Sequence, residues 1–205
     1  MKRIFIFLFF SLVLGITAFG ENVDILIKNA TILTMNSKKE IIENGVVAIR
    51  GNRIVAVGDE KIISKYKGKK VIDVADDIVM PGFINTHTHV SMVPFRSLAD
   101  DVPDRLSRYI FPLENKLVSR DLVYKGAVYG ILEMVSTGTT TFADMYYFED
   151  EVAKAAELIG MRGVLGETVI KNPVADAKEP YGGIAYAEEF IKKYNLQNKQ
   201  FNYIN

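Results

Sequence analysis

From residue 81 onward the chain alternates between short apolar strand patterns and amphipathic helix patterns, and few folds accept that alternation. "GFINTHTH" (82–89) reads as a short buried strand, and an irregular stretch holding Pro94, Pro103 and Pro112 follows it. "SRDLVYKGAVYGILEMVSTG" then predicts a helix, with Ser119 as N-cap, an apolar stripe of Leu122, Ala127, Ile131 and Val135, and Gly138 as its stop. "TTTFADM" (139–145) is the next strand. "EDEVAKAAELIG" is a second helix with acids in its first turn, an inner face of Val152, Ala155, Ala156 and Ile159, and Gly160 as its end. "RGVLGETVI" (162–170) predicts a strand, "YGGIAYAEEFIKKYN" (181–195) a helix, and "QFNYIN" the start of another strand. Strands separated by helices call for parallel pairing, so this region is α/β, either an open sheet covered on both faces or a (β/α) barrel.

Residues 21–80 have a different rhythm. "VDILIKNATILTM" alternates apolar and polar residues, and "NGVVAIRGNRIVAVG" sets two strand-like runs about a Gly51-Asn52 hairpin turn. "KKVIDVADDIVMPG" predicts a further strand pair turning at Asp76-Asp77. The expectation is a small meandering β-sandwich domain. The lysines of "KIISKYKGKK" (61–70) read as a solvated loop or helix face.

The first twenty residues have the order of a secretory signal peptide. Lys2 and Arg3 precede an apolar run from Ile4 to about Ile16, and small residues end at Gly20 before Glu21. The run is shorter than the roughly 20 residues a membrane span prefers. An exported protein, periplasmic or secreted, with no stable membrane span after cleavage is therefore expected. With 25 basic and 25 acidic side chains the chain lacks the basic excess that nucleic-acid binding requires. It has no cysteine, which excludes disulfides, thiolate metal sites and a lipidated N-terminus.

The only two histidines, His87 and His89, stand two apart at the end of the strand 82–89. Residues i and i+2 of a strand project from one face, so one cation could be held by both. The end of a barrel strand is also where barrel enzymes carry their chemistry. Spacing alone leaves two readings open, metal ligands or a pair of structural or exposed imidazoles.

Several motifs break that tie by resemblance. "MPGFINTHTH", "HTHVSMVPFRSLADDVP", "IFPLE" (110–114), "GILEMVSTGTTTFADMYYF" (130–148) and "AAELIGMRGVLGE" (155–167) occur in the order expected of the amidohydrolase superfamily. They are similar to its subgroup of methylthioadenosine/S-adenosylhomocysteine deaminases and triazine chlorohydrolases, over about residues 22–205. The resemblance implies a (β/α)8 barrel of the TIM type whose first strand ends in His-x-His. Both imidazoles, His87 and His89 here, would bind one divalent metal, Zn²⁺ or Fe²⁺. It implies that Glu114 binds substrate by accepting from ribose hydroxyls. Asp144, at a strand end, could be thought a ligand but reads as structural, and Arg96, which resembles an arginine of the family's first loop, reads as a salt bridge holding that loop. Two features depart from the pattern. There is no tryptophan in the loop before Glu114, and Glu167 stands about where adenosine-type members commonly carry an arginine.

The superfamily's third histidine, its aspartate ligand and its proton-shuttling glutamate have no counterpart in this chain, so no catalytic residue is expected within it. The expectation is thus the N-terminal half of the barrel, residues 81–205, stopping at the fourth strand. The whole protein would be a hydrolase of C–N bonds other than peptide bonds, deaminating an aminated heterocycle or purine nucleoside-like small molecule. A homo-oligomer is compatible with this reading. The alternatives are a chlorohydrolase of the same subgroup and a non-catalytic half-barrel.

Overall fold

A computed structural model describes residues 20–75 and 77–195. The expected signal peptide, apart from Gly20, and the strand expected from residue 200 lie outside the described residues. The chain divides into two compact units, one ending at Pro81 and the other beginning at Gly82.

The first unit is built on one long strand, β1 (Glu21–Leu33), with β2 (Ile41–Arg50), β3 (Arg53–Gly58), β4 (Tyr66–Asp73) and β5 (Ile78–Val79) around it. The sheet order is β3-β2-β1-β4, with β5 also on β1. The β2–β3 hairpin turns at Gly51 and Asn52 as the sequence implies, and its strands are antiparallel. The rest departs from a meandering sandwich. β4 and β5 both run parallel to β1 along the same edge, pairing with Glu21–Lys28 and Thr31–Ile32 respectively. Between those two stretches Asn29 takes a left-handed backbone (φ 57°) and interrupts the ladder.

The described strands of this unit therefore form one sheet with an apolar cluster on each face, in place of the expected two-layered sandwich. Val46 and Ala48 of β2 pack on one side with Val23 and Leu26, and Val47 packs on the other with Ala30 and Ile32. That is why "VVAI" in β2 reads as a continuous apolar run rather than an alternating one. The lysine-rich segment is a 3-10 turn (Glu60–Lys65) followed by β4, with Ile62, Ile63 and Tyr66 turned onto the first of those clusters.

The second unit is a three-stranded parallel sheet, β6 (Phe83–Thr88), β7 (Thr139–Tyr146) and β8 (Arg162–Glu167), in that order. Between β6 and β7 the chain forms a 3-10 helix (Val90–Phe95), a π-helical turn (Leu106–Ile110), α1 (Phe111–Leu117) and α2 (Arg120–Ser136). α3 (Glu149–Ile159) joins β7 to β8, and α4 (Gly183–Asn195) follows. The stretch expected to be irregular is therefore half helical, and its proline Pro112 sits where the π-helical turn passes into α1. The strand expected to be buried, β6, exposes Phe83 and Ile84, because only β7 pairs with it among the described residues.

The core of this unit joins Val123, Ala127 and Ile131 of α2 to Phe142 of β7, Val152 and Ala156 of α3, and Leu165 of β8. α2 is capped by Ser119, whose hydroxyl accepts from the Leu122 N–H. Its buried face is rotated from the expected stripe: Val135 is exposed, while Gly126 and Gly130 are buried. These glycines let the chain beyond β6 lie directly on the helix. A Cβ at Gly126 would stand 2.4 Å from the Ser91 carbonyl oxygen, and one at Gly130 would stand 2.7 Å from that of Val90. Arg120 ties the outer helices together, donating to Asp150 at 2.8 Å, to Glu151 at 2.7 Å and to the Tyr186 hydroxyl at 2.7 Å. Among the described residues no helix is long and apolar enough to cross a membrane.

Candidate active site

Parallel strands end together, so the C-terminal residues of β6, β7 and β8 meet at one end of the sheet. A cavity of about 620 Å³ opens there, lined by His87, His89, Glu114, Met145, Tyr146 and Thr168 among others. The three residues singled out from sequence for metal and substrate thus converge on one space. Leu106, Ile110, Phe111 and Ile170 add an apolar wall.

The two imidazoles lie edge to face with ring centroids 5.2 Å apart. β6 ends at Thr88, and His89 already has a non-strand backbone (φ −127°, ψ 72°). Its orientation comes from β7 instead: Nδ1 lies 2.6 Å from the Met145 carbonyl oxygen. A carbonyl can only accept, so Nδ1 carries a proton, and in the neutral tautomer this selects, Nε2 is the nitrogen with the lone pair. One ring nitrogen anchored to the backbone and the other free is the usual state of a metal-binding histidine. Among the described residues, no group of three or more histidine, aspartate or glutamate side chains is arranged to hold a metal. The donor set thus fits a transition metal only as two of its ligands.

Glu114 is buried, not the exposed carboxylate that "FPLE" would suggest on its own. Only 4% of its surface is accessible, and it accepts a 2.8 Å hydrogen bond from the Tyr146 hydroxyl. Burial pushes its carboxyl above the ordinary range, opposed by that hydrogen bond and by His89. Tyr146, likewise buried and facing Glu114, holds its phenolic proton well above the ordinary range. The tyrosine therefore acts here as a donor that orients Glu114.

Beneath this rim lies a row of acids whose grouping and burial the sequence does not disclose. Asp144, the residue read as structural, is buried and accepts from the Thr88 hydroxyl and, at 2.7 Å, from the Val90 N–H. Its second oxygen and both oxygens of fully buried Glu149 have no hydrogen-bond partner of normal geometry. The two carboxyls lie against each other, and burial together with the Asp144 charge keeps Glu149 protonated well above the ordinary range. Glu167 accepts from the Glu149 and Thr168 N–H groups, each at 3.1 Å, and burial beside Asp176 raises it to about 9. Asp176 in turn accepts from the N–H of Phe148 at 2.9 Å. Phe148 is left-handed (φ 54°) in the tight turn from β7 into α3. In the sequence these acids look like an ordinary strand end and a helix first turn, and no spacing rule marks them as buried.

Arg96 pairs with Glu133 of α2 through two bonds of 3.0 and 2.5 Å, so it holds the loop after β6 as anticipated. That pair lines a separate cavity of about 650 Å³ that includes His89 but neither His87 nor Glu114.

The 5-methylthioadenosine/S-adenosylhomocysteine deaminase 1 of Syntrophus aciditrophicus is 40% identical over 178 residues, covering 85% of this chain and 40% of that protein. The crystal structure of an adenosine deaminase from Xanthomonas campestris, with bound zinc, superposes with a TM-score of 0.83 at 28% identity. The match covers 89% of this chain and 42% of that one. The zinc-complexed atrazine chlorohydrolase of Arthrobacter aurescens shares the fold, with a TM-score of 0.67 at 23% identity over 83% of this chain and 43% of its own. The chain thus spans about two-fifths of the length of the relatives it matches. The amidohydrolase family model matches residues 78–201, from β5 through the whole α/β unit. On this match the chain belongs to the amidohydrolase family.

Proposed function

We propose that the protein is a metal-dependent hydrolase that deaminates a small aminated heterocycle, most simply a purine nucleoside. The observation that carries this reading is the convergence of His87, His89 and Glu114 on one cavity at the strand ends. The three-stranded sheet would be the first part of a (β/α)8 barrel, in which chemistry lies at that end. His87 and His89 would supply two ligands to a divalent metal, Zn²⁺ in preference to Fe²⁺, with the remaining ligands outside the described residues. Such a metal, when bound, supplies Lewis-acid activation of water near neutral pH.

The chain's own residues do the holding. Met145 fixes the His89 tautomer through Nδ1. Tyr146 occupies Glu114 Oε1 and so directs Oε2 toward a ligand hydroxyl. The apolar wall excludes water around a flat ring. Glu167 is spoken for by backbone N–H groups and Asp176, so it is not a free anion facing the substrate.

The test is metal content and product release in the whole protein. Ammonia freed from adenosine, 5-methylthioadenosine or S-adenosylhomocysteine is the expected result, lost in His87→Ala and His89→Ala together with the metal. Chloride release from a chlorinated triazine would move the assignment to the chlorohydrolases. A protein that neither binds metal nor releases either product would overturn it. Glu114→Gln should raise KM for ribosylated substrates more than it lowers kcat.

Export is proposed on residues 1–20 alone, and N-terminal sequencing decides it. A mature start near Glu21 is expected, and a start at Met1 would refute it.

A further inference from the structure

We infer that Asp144 is a positioning residue for the metal-binding His89, clamping the chain on both sides of it through the Thr88 side chain and the Val90 backbone. The inference rests on the reading of His87 and His89 as metal ligands. The strand ladder cannot hold His89, because β6 stops at Thr88 and the β6–β7 pairing is irregular between Asn85 and Thr88. What brackets His89 is one carboxylate oxygen. Asp144 Oδ1 accepts from the hydroxyl of Thr88, the preceding residue, which the Ala143 carbonyl oxygen also faces at 3.0 Å, and from the N–H of Val90, the following one. The next residue on β7, Met145, holds the imidazole itself through its carbonyl oxygen. Backbone and ring of His89 are thus gripped by two consecutive residues of the neighbouring strand.

The burial of Asp144 makes the grip selective. With 5% of its surface accessible, little water competes for Oδ1. Val90 and Ser91 are pressed from the far side onto the glycine face of α2, at Gly130 and Gly126. The segment cannot relax into the helix if the clamp is lost, so it must move toward the cavity. A purely structural aspartate would satisfy two buried donors and leave metal binding untouched. A clamp that sets where His89 Nε2 points must alter the metal's affinity and its ligand field.

The experiment is chelator competition with Zn²⁺ and Co²⁺ on the whole protein, with the visible d–d bands of the Co²⁺ form as a second readout. Removal of a group that orients a metal-binding histidine commonly costs about 10–100-fold in affinity. Asp144→Ala is expected to show a loss of that order and altered Co²⁺ bands. Asp144→Asn keeps an oxygen for Thr88 and Val90 and offers an amide to Glu149, so it should stay within about threefold of the parent affinity. A folded Asp144→Ala protein with parent affinity and parent Co²⁺ bands would overturn the inference.

If Asp144→Ala does not fold, Thr88→Val decides. It removes one of the two donors without creating a cavity; weaker metal binding supports the clamp, and unchanged binding refutes it. His89→Ala separates this from the underlying assignment. If that variant binds metal as the parent does, the histidine pair is not the metal site, whatever Asp144 does.

Discussion

The two units treat their acids in opposite ways. In the β1–β5 unit Asp24 and Asp73 sit at the surface, each beside a lysine: Lys69 at 2.8 Å and Lys28 at 2.9 Å. Those partners, first through hydrogen bonds and then through charge, hold both carboxyls below the ordinary range. In the β6–α4 unit Asp144 and Glu149 are buried and Glu167 is half-buried, none pairs with a lysine or arginine among the described residues, and burial raises all three. Exposed pairs of the first kind contribute little to stability. A buried, uncompensated set costs stability and persists where a site needs it, so its place directly under the His87–His89 rim is informative.

The largest effect expected from breaking this contrast is on the support of the site rather than on its charges. Gly126→Leu would drive a side chain into the Ser91 carbonyl and should cost about 1–3 kcal/mol or more. Denaturant titration reads the loss, and Co²⁺ binding should weaken with it.

A pH titration sharpens the contrast next. Glu167 is raised to about 9 in the folded chain from an ordinary value of 4.5. Its contribution is therefore fully present below about pH 4.5 and lost as pH rises toward 9. Glu149 acts in the same direction. Each such proton tilts stability by at most about 1.4 kcal/mol per pH unit. The midpoint of thermal unfolding should fall between pH 6 and 9, and Glu167→Gln should flatten that fall. A midpoint independent of pH over this range would show that these acids are ionised and solvated.

Tyr146→Phe leaves buried Glu114 without its donor and should cost about 1–3 kcal/mol, measured by urea unfolding. The smallest effect belongs to the other unit. Lys69→Ala removes the partner of Asp24, yet its unfolding midpoint should match the parent within experimental scatter. A large loss there would erase the distinction between the two units.

Much of the α/β unit was legible from residues 119–195, because α2 and α3 there carry local start or stop signals. Ser119 caps α2, and left-handed Gly160 closes α3. Such signals are local and survive without tertiary context. The parallel pairing of β4 and β5 with β1 was not legible, since strand patterns state that an edge will be paired but not with what. The turn of α2 toward Gly126 and Gly130 was missed for a related reason: small residues on a helix face become meaningful only when a neighbouring backbone is known to approach. Glu114 could be singled out only by resemblance, and its burial only by the fold.

By itself the sequence determined the alternation that demands parallel strands and the two imidazoles at a strand's end, because both are patterns of neighbouring residues with a fixed geometric period. Tertiary structure alone decided which nitrogen of His89 is free, that Tyr146 holds Glu114, and that Asp144 and Glu149 share a buried space. Burial and hydrogen bonding between residues such as Glu114 and Tyr146, or Val90 and Asp144, depend on how distant segments pack, and no local pattern encodes that distance.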